Sequence, residues 1–186
     1  MTLSWVDALK ATYSSRSVAI FNIAKSGMTT YEALPTSSPP VTNRPAPDPQ
    51  ANVDAALAQS PKLLIVSYPS NDTSVGFSAD ETVANLLRIR AVAQAAGASV
   101  IIVSMQPLST IPADRLALLP VIDAGLSAAV QPCFVATREA LAAPDGTLDP
   151  RYDSGDGLHL NDAGHAITAS RVRAVIDSGT CVQVPP

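Results

Sequence analysis

Four short apolar runs punctuate an otherwise mixed chain: Val18-Ala19-Ile20-Phe21, Leu63-Leu64-Ile65-Val66, Val100-Ile101-Ile102-Val103 and Phe134-Val135-Ala136. Three of them are unbroken and rich in β-branched residues, the pattern of strands covered on both faces. Between them the apolar positions change to a helical period. Ser78-Ala79-Asp80-Glu81 reads as a capping box that opens a helix, after which Val83, Leu86, Leu87, Ile89 and Val92 recur on one side until Gly97 ends it. The same reasoning predicts helices over 52–59, 113–129 and 162–176, the last with Asn161 as its N-cap. The chain opens on a helix at Ser4-Trp5-Val6-Asp7, where Leu3, Val6 and Leu9 share a face. Strand and helix alternate, which predicts an α/β fold: a parallel sheet with helices on both sides.

With 186 residues and 47% hydrophobic content, the chain is expected to form a single domain over 1–186. The prolines crowd into one stretch, 35–49, predicted to be an extended surface loop. Twelve Lys and Arg residues are scattered along a chain of net charge −4, so no basic stripe exists and nucleic acid is not an expected partner. No apolar run approaches the roughly 18 residues needed to span a bilayer, and the N-terminus lacks a signal-peptide profile, so no membrane partner is expected. Cys133 and Cys181 are compatible with one bridge tying the tail to the last strand, or with two buried thiols.

Chemistry concentrates near the C-terminus. Asp156-Gly157-Leu158-His159 places a carboxylate three residues before one of only two histidines. In a tight turn the two side chains can converge, the carboxylate holding the tautomer of an imidazole that takes a proton from a hydroxyl nucleophile. A competing use of the same region is a divalent metal site, since Asp156, His159, Asp162 and His165 recur at three-residue intervals. Gly157 and the cap at Asn161 break the helix that would align all four, so no metal is expected and His165 is read as solvent-facing.

These residues carry a resemblance to the SGNH (GDSL-type) hydrolases, small serine esterases, with three of that family's four sequence blocks in order. Asn22-Ile23-Ala24-Lys25-Ser26-Gly27 resembles the block whose glycine lends a backbone N–H to the oxyanion hole, which implies that role for Gly27. Ser67-Tyr68-Pro69-Ser70-Asn71-Asp72 resembles the Gly-x-Asn-Asp block, with Pro69 where the family has glycine, and implies that Asn71 offers its side-chain amide. Asp156-Gly157-Leu158-His159-Leu160-Asn161 matches the Asp-x-x-His block and implies catalytic roles for Asp156 and His159. Ser26 and Ser70 adjoin the implied oxyanion donors and are read as loop serines.

The resemblance implies a flavodoxin-like three-layer α/β/α sandwich and hydrolysis of small acyl esters, acetylated carbohydrates among them, without a cofactor. The fourth block, Gly-Asp-Ser at the end of the family's first strand, does not occur in this sequence, and Trp5-Val6-Asp7-Ala8-Leu9 resembles the helix that follows it. The expectation is therefore that the nucleophile strand lies outside the sequence as given, leaving these 186 residues nearly inactive. The missing strand is expected to come from an N-terminal segment or to be compensated by pairing in a homo-oligomer. A full-length form is expected to be soluble and secreted or periplasmic. A noncatalytic ligand-binding module that retains the hydrolase fold is the alternative.

Overall fold

A computed structural model describes residues 3–16, 18–68 and 70–182. Three of the four apolar runs are strands: β1 (Leu63–Val66), β2 (Ser99–Val103) and β3 (Phe134–Val135). They pair in parallel in the order β1-β2-β3, with Leu64 beside Val100 and Ile102 beside Phe134. Eight helices accompany them among the described residues: α1 (Trp5–Tyr13), α2 (Val53–Leu57), α3 (Asn71–Val75), α4 (Ala79–Ala95), α5 (Ala113–Leu116), α6 (Leu118–Val130), α7 (Arg138–Leu141) and α8 (Asp162–Asp177).

The pleat of the strands divides the core into two layers. Val66, Val100, Ile102 and Phe134 point to one face and pack with Leu86 and Ile89 of α4 and with Leu119, Ile122 and Leu126 of α6. Ile101, Val103 and Val135 point to the other and meet Leu9 and Tyr13 of α1 and Val172 of α8. Every residue of β2 is buried, as a strand covered on both faces requires. The result is the predicted parallel α/β sandwich.

Local signals set several boundaries. The capping box of α4 is formed, Ser78 Oγ accepting from Glu81 N while Glu81 accepts from Ser78 N. Its far end closes in a Schellman turn, with Gly97 N donating to Gln94 O and Ala98 N to Ala93 O; the φ of +84° at Gly97 suits glycine. Asn161 caps α8 by accepting from Ala163 N and Gly164 N.

Two expectations are corrected. The predicted strand at Val18–Phe21 is not formed: Val18 and Phe21 are exposed, and only Ile20 reaches the core. A strand needs a ladder partner, and no described strand pairs with this segment or with the outer side of β1. The helix predicted over 113–129 divides at Ala117 into α5 and α6. Pro120 explains the break, because it has no N–H for the Leu116 carbonyl and its ring crowds that position.

The proline-rich stretch 35–49 holds no helix or strand and is pinned to the body of the domain. Arg44 pairs with Glu81 at 2.7 Å and lays its guanidinium 4.2 Å from the centre of the Phe77 ring. Cys133 and Cys181 form a disulfide with a Cα–Cα distance of 5.2 Å, clasping the chain after α8 to the start of β3. No described helix is long and apolar enough to cross a membrane.

Candidate functional site

Of the polar groups singled out in the sequence, Asn71 follows the carboxyl end of β1, while Asp156 and His159 lie in the loop between α7 and α8. In parallel sheets the carboxyl ends of the strands open on the crevice where ligands bind.

The segment that leads into α8 folds as a chain of side-chain-capped turns. Asp153 Oδ1 accepts from Gly155 N at 2.9 Å, Asp156 N at 3.2 Å and Gly157 N at 3.0 Å. Gly155 and Gly157 take φ of +108° and +70°, which an L side chain resists. Asp156 Oδ1 in turn accepts from Leu158 N at 2.9 Å and His159 N at 2.7 Å, while Oδ2 meets His159 Nδ1 at 2.6 Å. The backbone N–H of His159, then its imidazole, then the N–H of Leu158 hold the Asp156 carboxyl far below the usual carboxylate range. The carboxylate thus faces Nδ1, so the ring proton belongs on Nδ1 and the lone pair on Nε2. Both side chains are open to solvent, His159 at 66% and Asp156 at 50%.

The two predicted oxyanion segments meet one another. Asn71 begins α3 directly after the β1 loop, and its Nδ2 donates to Met28 O at 2.8 Å, next to Gly27. Gly27 is exposed with φ of +79°. One amide hydrogen of Asn71 is used in that tie and the second is left for an oxygen acceptor. Pro69, the departure from the family pattern, lies outside the described residues.

Asp72 joins these segments from beneath. It is 3% exposed and accepts from Thr30 N at 2.7 Å, from the Thr30 hydroxyl, and from Thr82 Oγ1 at 3.0 Å. Burial pushes its carboxyl up, while the Thr30 hydroxyl, the Thr30 N–H and the Thr82 hydroxyl pull the other way. Tyr68, just after β1, is pushed up to about 12 by burial and by the nearby carboxylates of Glu32 and Asp72.

The β2–α5 loop bridges the halves. Ser109 N donates to Gly157 O at 2.8 Å and Gln106 Nε2 to Leu158 O at 2.5 Å on the side of Asp156 and His159. On the side of α3, Arg115 donates to Ser74 O at 2.5 Å. Asp72, Asp153 and Gln106 were not marked as site residues by the sequence. Asp153 had a readable signal, an aspartate two residues before a glycine in a turn; Gln106 had none.

His165 is corrected: it is half-buried, not solvent-facing, with Nδ1 enclosed and without a hydrogen-bond partner among the described residues. Burial pulls its pKa down, with Asp162 and Asp7 opposing. Among the described residues no group of three or more His, Cys, Asp or Glu side chains lies close enough to hold a metal ion. Ser70 is buried and Ser26 exposed, and the ring of His159 hydrogen-bonds only Asp156 among the described residues.

The family described as "GDSL-like Lipase/Acylhydrolase" matches residues 2–167. Among solved structures, a GDSL-like lipase from Bacteroides thetaiotaomicron aligns with a TM-score of 0.67 at 20% identity, over 94% of this chain and 82% of that one. A psychrotrophic esterase from Pseudoalteromonas sp. aligns at 0.67 and 19% identity, over 95% and 87%. A carbohydrate esterase family 3 protein from Talaromyces cellulolyticus aligns at 0.65 and 14%, over 94% and 90%. At these identities the likeness is one of fold. No curated protein matches the chain.

Proposed function

The chain belongs to the GDSL-like lipase/acylhydrolase family, and on that premise we propose that it acts as a carboxylic ester hydrolase on small acyl esters, acetylated carbohydrates among them. The observation that carries this reading is the 2.6 Å contact between Asp156 Oδ2 and His159 Nδ1, which leaves Nε2 as the free basic nitrogen.

In the reaction, His159 Nε2 takes the proton of an attacking serine hydroxyl, whose oxygen adds to the ester carbonyl. Asp156 stabilises the imidazolium that forms. The tetrahedral oxyanion is met by the Gly27 N–H and the second hydrogen of the Asn71 amide. On collapse, His159 returns the proton to the leaving alcohol, and water then hydrolyses the acyl-serine by the same route. The serine itself is proposed to come from outside these 186 residues, since Gly-Asp-Ser does not occur in them. The outer side of β1, unpaired among the described residues, and the exposed Val18 and Phe21 are in keeping with a further strand placed there.

The test is hydrolysis of 4-nitrophenyl acetate by the 186-residue chain and by the polypeptide carrying its upstream coding sequence. The expected result is activity only in the longer form, abolished by His159→Ala. Ordinary esterase rates from the shorter form would contradict the assignment of the nucleophile. The absence of Gly-Asp-Ser also favours a second reading, a noncatalytic module; it gains if neither form hydrolyses the ester but both bind an acetylated sugar saturably.

A further inference from the structure

The turn that holds Asp156 and His159 fixes the two side chains to one another, but nothing inside it fixes the pair to the sheet. Its inner bonds arise within 153–159: Asp153 on the N–H groups of Gly155, Asp156 and Gly157, Asp156 on those of Leu158 and His159, and Ser154 N on His159 O, while Asn161 Nδ2 closes its base on Asp153 O. A reacting base must also stand in the right place relative to the ester, where an error of about 1 Å can cost on the order of 100-fold.

We infer that Gln106 is the positioning residue that sets the place of His159, by donating its side-chain amide to the Leu158 carbonyl immediately before it. The bond is 2.5 Å long and lies in a half-buried setting. Gln106 stands three residues beyond the end of β2, and the backbone between is anchored on two sides. Met105 N donates to Asp123 Oδ1 at 2.8 Å, and Asp123 Oδ2 accepts from Arg138 Nε at 2.7 Å. Ser104 Oγ accepts from Thr137 N and Arg138 N, which ties the ends of β2 and β3 together. A stiff path therefore runs from the centre of the sheet through Gln106 to the peptide that carries His159.

The neighbouring contact supplies a fulcrum without a side-chain grip. Ser109 N holds Gly157 O, and a Cβ on Gly157 would stand 3.1 Å from Ser109 Cβ. Asn161 Nδ2 and the buried Leu160 hold the base of the turn and Ser109 N holds Gly157 O; the Gln106 bond is the attachment on the peptide immediately before the imidazole.

This inference rests on the esterase reading, and its test separates the two. Gln106→Met keeps the length of the side chain and removes the donor; Gln106→Ala removes both. Each is compared with the wild type, in whichever form of the polypeptide hydrolyses 4-nitrophenyl acetate. The readouts are kcat, KM and the downfield proton resonance of His159 Nδ1–H. Both variants are expected to lose roughly 10- to 100-fold in kcat, with KM within twofold and the Nδ1 resonance retained. A kcat within twofold of wild type in both variants overturns the inference while leaving the esterase reading intact. Loss of the Nδ1 resonance along with activity also overturns it, since Gln106 would then be holding the turn together. If no wild-type form hydrolyses the ester, the esterase reading fails and this inference falls with it.

Discussion

Removing the Asp72 carboxylate is the most informative single perturbation, because it tests whether a buried charge holds together the two segments proposed to carry the oxyanion donors. Asp72→Ala leaves the Thr30 N–H and the Thr30 hydroxyl without their acceptor in a buried site. Each orphaned donor costs about 1–3 kcal/mol. Thr82 suffers less, as its hydroxyl also reaches Ser78 O at 3.2 Å. Relief of the desolvated charge offsets part of the sum, so the net loss expected is about 3 kcal/mol, a large part of the roughly 5–15 kcal/mol that holds an ordinary domain. Guanidinium unfolding at neutral pH measures it. A shift below about 0.5 kcal/mol would show that the Thr30 segment does not depend on Asp72 and would refute the reasoning. The pH dependence gives a second check. The folded-state pKa lies above the ordinary 3.8, so the folded chain holds a proton there that the unfolded chain has released. The Asp72 contribution is therefore most favourable below the ordinary value and declines as pH rises through the window between it and the raised folded value. In Asp72→Asn that decline should vanish.

Other outcomes follow from the same structure. Opening the Cys133–Cys181 bridge by Cys133→Ser should cost about 4 kcal/mol, from the loop-closure entropy of the 48-residue separation; equal unfolding midpoints with and without reductant would count against it. In an active form, Asn71→Ala should lower kcat about 100- to 1000-fold with little change in KM, and a loss below tenfold would remove Asn71 from the oxyanion role. Arg44→Ala frees the 35–49 loop from Glu81 and Phe77, and should change the preference for acyl chain length in a series of nitrophenyl esters; unchanged selectivity would place the loop away from substrate.

The parts of this fold that were legible in the sequence are those whose cause is local. Leu63–Val66 and Val100–Val103 announce strands by composition, though only the second is buried throughout, and the starts of α4 and α8 are written in the four residues of a capping box and the single Asn161. Asp156 and His159 were legible for the same reason, three residues being enough to bring them together. Val18–Phe21 has strand composition, yet composition cannot supply a neighbour to pair with. Pro120 was a readable break that helical periodicity concealed. The anchors escaped because their partners are remote: 42 positions separate Asp72 from Thr30, and 52 separate Gln106 from Leu158. Likewise, two cysteines 48 positions apart left bridge and thiols equally open until α8 brought Cys181 back to β3.

Because Asp156 and His159 are aligned by bonds within seven consecutive residues, their mutual geometry does not depend on the segments that carry Gly27 and Asn71. On the proposed reading, competence is then decided by docking: the same cassette is idle or productive according to whether a serine hydroxyl is brought up to its open nitrogen.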